Sequence, residues 1–153
     1  MERDNAWLAE KLNQIWKNHF PDITHGNEIE VRFGRNSKTR LGSITLRKIE
    51  NKKRRLLSYE VRELSPNQAV SIITINGYFK NESAPEKIID GILAHEFCHY
   101  VHGFNSTIEK RYRTPHAGGI IDKELKERGM EDLLIFQKKW LKENWKNIIE
   151  NKF

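Results

Sequence analysis

An α+β fold is the class this sequence predicts, on three observations. Apolar residues recur at helical spacing from Asp4 to Phe20, alternate with polar ones between Glu28 and Val61, and return to helical spacing from Ser83 to Ile149. The elements therefore run helix, strands, helices. No linker, internal repeat or low-complexity stretch interrupts them, so one domain over residues 1–153 is expected. It would consist of an N-terminal helix, a small antiparallel or mixed sheet, a central buried helix and C-terminal helices.

The first helix sets Trp7, Leu8, Leu12, Ile15 and Trp16 on one face and stops at Pro21. Ile29, Val31 and Phe33 then alternate with charged residues, as do Ile44 and Leu46, and again Leu57, Tyr59 and Val61; each reads as a strand. Residues 70–75 (VSIITI) are β-branched and more continuously apolar, which predicts a more buried fourth strand. Ser83-Ala84-Pro85-Glu86 reads as a capping box opening a helix that runs to His102. That helix is apolar on nearly every side, so it is central, and Gly103 is its stop signal. Thr114-Pro115 predicts another helix start, running to Gly129, and a final helix covers Glu131 to about Ile149.

Composition narrows the class further. Four Trp, seven Phe and four Tyr supply enough apolar surface for a core, which argues against disorder. No apolar run approaches the roughly 18–20 residues of a membrane span, and the start MERDNAWLAE lacks a signal-peptide core. A lone Cys98 has no partner for an internal disulfide. A cytoplasmic monomer without membrane attachment is expected.

The motif that carries chemistry lies inside the buried helix: His95-Glu96-Phe97-Cys98-His99, an HExxH. Histidines four apart on a helix face one way and can grip one zinc ion, while Glu96 is near enough to serve as a general base. Two buried histidines and a buried glutamate would otherwise be costly polar groups in a core. A catalytic zinc needs a third protein ligand and one open position. The metzincin pattern fails, since His102 and Asn105 stand where it wants Gly and His. His102 lies in line with His95 and His99 along one helix and cannot help surround an ion. The remaining choices are Glu124 or Glu127 in the distal helix, and His116 beyond the loop. Cys98 reads as a small core residue.

The stretches SKTRLGSITL (37–46), SIITIN (71–76), ILAHEFCHYVHG (92–103) and PHAGGIIDKEL (115–125) resemble the SprT-like zinc metallopeptidase domains, the group that includes the DNA–protein crosslink protease Spartan. The resemblance covers about Ile29 to Arg128. It implies a zincin-like fold and a third zinc ligand at His116. Ala117 stands where the family usually has Gly, and Ile120 where it often has Phe, and Glu124 stays as an alternative ligand. The implied activity is a zinc metallopeptidase that hydrolyses peptide bonds of polypeptide substrates, with zinc-activated water and Glu96 as general base. Tyr112 is a candidate oxyanion group, weighed against an ordinary surface tyrosine.

The net charge of +6 is unevenly placed. Residues 32–55 carry ten basic residues against one acid, Glu50, which exceeds the whole net charge. The block reads as protective charge on a sheet edge, or as a contact for nucleic-acid phosphates. The alternative to a peptidase is accordingly a nucleic-acid-associated binding protein with a structural zinc or a vestigial site.

Overall fold

The computed structural model describes residues 2–61 and 63–150. Helix α1 (Asn5–His19) opens on Asp4, whose side chain accepts the Trp7 N–H at 2.8 Å and satisfies one of the free donors of the first turn. It buries Leu8, Leu12 and Ile15, and Trp16 Nε1 donates to the Ile23 carbonyl beyond its end. Strands β1 (Glu28–Phe33), β2 (Gly42–Lys48) and β3 (Ala69–Ile75) form a mixed sheet in the order β1-β3-β2. β3 is parallel to β1 and antiparallel to β2, with Val31 and Ile44 both opposite Ile73. A three-stranded mixed sheet among helices makes the fold α+β.

The sheet has one more expected strand than it forms. Residues Leu57, Tyr59 and Val61 alternate, yet Ser58–Val61 is a single helical turn, α2. The cause is local. The Glu60 carboxylate accepts the Leu57 N–H at 3.0 Å, as an N3 acid does in a capping box. Arg54 donates to both Glu60 oxygens, and these bonds hold the carboxyl down at about 2. Leu57 and Tyr59 stay exposed, so no burial rewards a strand there.

Helix α3 (Glu86–Val101) is the centre of the molecule, packing against α1, β2, β3, α4 (Ile120–Glu127) and α5 (Glu131–Ile149). Ile88, Ile89, Leu93, Phe97 and Val101 are fully buried, and each such burial is worth about 1.5–3 kcal/mol. Its start corrects the expected capping box. The Ser83 N–H is taken by Asn81 Oδ1 at 2.8 Å, Pro85 is the N-cap, and Glu86 pairs with Lys11 at 3.2 Å.

The helix expected from Thr114 begins only at Ile120. Gly118 and Gly119 both adopt left-handed backbone (φ 68° and 66°), which breaks the helical path and folds residues 116–119 into a tight turn. α5 has the expected bounds, and its Trp145 reaches back to stack on Phe79 at 5.9 Å. Among the described residues no helix is long and apolar enough to cross a membrane.

Candidate metal centre

α3 positions the first two candidate ligands. His95 and His99 lie one turn apart, and their Nε2 atoms are 3.1 Å from each other. The Gly118-Gly119 turn brings in the third: His116 Nε2 is 3.4 Å from His95 Nε2. The three ligand atoms lie within 4.8 Å of one another. Tetrahedral bonds of about 2.0–2.1 Å from nitrogen to zinc put neighbouring nitrogens about 3.3 Å apart, so both measured separations fit one shared ion. The His99 Nδ1 is buried without a hydrogen-bond partner among the described residues, while its Nε2 faces the cluster.

A metal requires neutral imidazoles, and burial favours that form at two of the three, His95 and His99. Burial, then the neighbouring His95, His116 and His102, pushes His99 down to about 4. Burial and His116 lower His95 as well. Glu96, beside them on α3, is nearly buried and has no hydrogen-bond partner among the described residues. Burial lifts its carboxyl to about 7, against the opposing charge of Arg40.

The cluster opens into a cleft of about 520 Å³. It is lined by β2 with the loop before it (Thr39 to Thr45) and by Phe104, Pro115 and His116. β2 is an edge strand, and its backbone pattern can be read from the ladder. Leu41 accepts from the Asn76 N–H at 2.9 Å, and Ile49 donates to Gln68 at 3.0 Å. Alternation then turns Ser43, Thr45 and Arg47 toward β3, and leaves the N–H and C=O groups of Gly42, Ile44 and Leu46 on the free edge. Gly42 permits the close approach of strand to helix. A Cβ there would lie 2.7 Å from Ile92 Cγ2 and 3.5 Å from Glu96 Cγ.

A second group on the same helix also has ligand atoms within 4.8 Å: Cys98, His102 and Glu124. Its chemistry is different. His102 Nε2 donates to Glu124 Oε1 at 2.6 Å, and Arg128 Nε donates to Glu124 Oε2 at 2.9 Å. Arg128 also donates to both oxygens of Asp22, and Arg111 stands 3.9 Å from Glu124. Two guanidiniums thus supply the positive charge that a cation would bring. The 2.6 Å contact is hydrogen-bond length, and burial drives the Cys98 thiol upward, away from thiolate. This group is a charge-balanced pin between α3, α4 and the end of α1.

The expected residues are thus divided. His95, Glu96, His99 and His116 come together at the cleft. Glu124, the alternative ligand, is held in the pin with His102, and Cys98 is a buried core residue beside it. Tyr112 does not line the cleft; its ring meets His102 edge-on at 4.8 Å. His19 Nδ1 lies 2.8 Å from the Arg128 carbonyl. Gly42, Arg55 and Gln137 line the cleft without having been singled out for it. Gln137 comes from α5 with no motif around it, whereas Arg55 and Arg40 stood in plain view in the basic block.

That block is partly neutralised. Lys52 pairs with Glu30, and Arg54 with Glu60. Arg47 has a buried Nε with no hydrogen-bond partner among the described residues, and burial followed by the charges of Arg55 and Arg32 lowers its pKa. Arg40 and Arg55 have no acidic partner within 4 Å among the described residues. No protein-family model, curated protein or solved structure matches the chain.

Proposed function

We propose that the protein is a zinc-dependent peptidase of zincin-like fold, with His95, His99 and His116 as ligands and Glu96 as general base. The observation that carries this reading is the convergence of three imidazole nitrogens, with His95 Nε2 3.1 Å from His99 Nε2 and 3.4 Å from His116 Nε2, beside a buried glutamate in an open cleft. The resemblance of residues 29–128 to SprT-like domains points the same way.

Zinc, when bound, supplies a Lewis acid that polarises a carbonyl and makes water a better nucleophile near neutral pH. The chain's own residues supply the rest. The outward N–H and C=O groups of Gly42, Ile44 and Leu46 pair with an extended polypeptide, as an added strand pairs with a sheet edge. That pairing fixes the scissile amide across the histidine cluster. Glu96 takes a proton from the attacking water and hands it to the departing amine, having no hydrogen bond of its own to break first. A purely structural metal site would have no use for that carboxylate.

The test is cleavage of an unfolded protein substrate by the metal-loaded protein and by Glu96→Gln. General acid–base groups contribute about 10²–10⁴-fold in rate. The variant should lose activity on that scale while retaining its metal. Equal rates for the two proteins, or activity that survives complete chelation of the metal, would overturn the reading.

A further inference from the structure

The cleft is asymmetric in charge. Among the described residues that line it, the one carboxylate is Glu96, and it is matched by two arginines, Arg40 and Arg55. Both guanidiniums are on exposed residues without an acidic partner within 4 Å among the described residues. Their backbones differ in origin. Arg40 belongs to the loop leading into β2, pinned where Asn76 Nδ2 donates to the Arg40 and Ser37 carbonyls at 2.7 and 2.6 Å. Its charge reaches the floor of the cleft, where it acts on Glu96. Arg55 belongs to the connection after β2 and sits close enough to Arg47 to act on that guanidinium.

Both arginines thus line the cleft beside the free edge of β2, Arg40 from the loop before that strand and Arg55 from the connection after it. From Gly42 to Arg47 an extended chain covers about 17 Å, or roughly five residues of a paired strand. We propose that the cleft selects acidic polypeptide segments, with Arg40 and Arg55 as specificity residues reading Asp or Glu on the two sides of the scissile bond. This rests on the peptidase reading for cleavage, though not for binding. A polypeptide suits the site better than a nucleic acid, because the strand edge between the arginines offers alternating amide donors and acceptors. Those groups match a peptide backbone and have no counterpart in a phosphodiester chain.

The experiment uses zinc-loaded Glu96→Gln and fluorescence anisotropy on three peptides of one scaffold. The flanking positions carry Asp/Glu, Asn/Gln or Lys. Two exposed ion pairs predict that the acidic peptide binds about two- to thirty-fold tighter than the neutral one, with the lysine peptide weakest. The preference should fall with added salt, vanish in Arg40→Gln/Arg55→Gln and invert in Arg40→Glu/Arg55→Glu. Equal affinities, or a preference that survives the double glutamine variant, overturn the proposal. So does a single-stranded oligonucleotide of equal length that displaces the acidic peptide with higher affinity at the same salt.

Cleavage by the wild type separates the two claims. If it cuts none of the peptides while Glu96→Gln still prefers the acidic one, the peptidase reading fails and the specificity stands. If it cuts all three with one kcat/KM, the specificity fails and the peptidase stands.

Discussion

Two groups of metal-ligating side chains hang from one helix, and they behave oppositely. Among the described residues, the Nε2 atoms of His95, His99 and His116 have only each other as hydrogen-bond partners, at the mouth of a cleft. Cys98, His102 and Glu124 are as close together, yet Arg128 and Arg111 already balance their charge. Ligand atoms in proximity do not make a metal site. What distinguishes the first group is that, among the described residues, no arginine or lysine hydrogen-bonds to its nitrogens, and two of their separations match what one shared ion imposes. The second group spends its polarity on holding α4 and the end of α1 against α3, and so anchors the helix that follows the His116 turn.

The contrast can be broken most sharply by exchanging a ligand for alanine. Changing only the outer partners of a metal ligand costs 10–100-fold in affinity, so His116→Ala should weaken zinc by about 100-fold or more. Competition with a chromophoric chelator measures it. Zinc affinity unchanged in His116→Ala would remove that residue from the centre.

In the second group the expected loss is stability. Hydrogen bonds to charged groups are worth about 1.5–3 kcal/mol, and Glu124→Ala leaves His102 and Arg128 without their shared acceptor. Denaturant unfolding of the metal-free variant should show a deficit of about 2–3 kcal/mol, while the zinc stoichiometry stays that of the wild type. Loss of zinc without loss of stability would reverse the assignment of the two groups.

Gly42→Ala probes the strand that borders the first group. Its Cβ would press on Ile92 and on the Thr74 carbonyl, and overpacking of this kind costs about 1–3 kcal/mol. Metal binding should persist and cleavage should fall, as the strand edge moves away from Glu96. Undiminished cleavage would show that this edge does not hold the substrate.

The smallest effect is a pH dependence. Burial alone would raise the Glu124 carboxyl, but hydrogen bonds from His102 and Arg128 outweigh it, and the folded value lies below the ordinary 4.5. A depressed carboxylate stabilises the fold in full above the ordinary value, and that contribution fades as pH falls through the folded value. Glu124→Gln should therefore lose less stability than the wild type on acidification below pH 4.5. Parallel acid limbs for the two proteins would contradict the proposed charge balance.

What could be read in the sequence follows the range of each interaction. HExxH is a pattern within one turn of helix, and the apolar surroundings of α3 mark it as buried, so His95, Glu96 and His99 were visible together. The bounds of α5 and the strands flanking β3 came from periodicity alone. Residues 57–61 misled because Leu57, Tyr59 and Val61 alternate, while a side-chain bond from Glu60 to the Leu57 amide decides the conformation. The start of α4 was misplaced for a similar reason, since Pro115 is a good helix opener but two left-handed glycines follow it. The choice between His116 and Glu124 was open because both lie beyond the loop. Glu124 meets its partners, His102 and Arg128, in three dimensions only, and no local pattern announces them.

Cobalt titration tests the central claim most directly, because it reports stoichiometry and ligand type at once. The account predicts one equivalent per chain in the wild type and in Cys98→Ser, no thiolate-to-metal charge-transfer band, and strongly weakened binding in His116→Ala. A thiolate band that disappears in Cys98→Ser, with binding intact in His116→Ala, would contradict it.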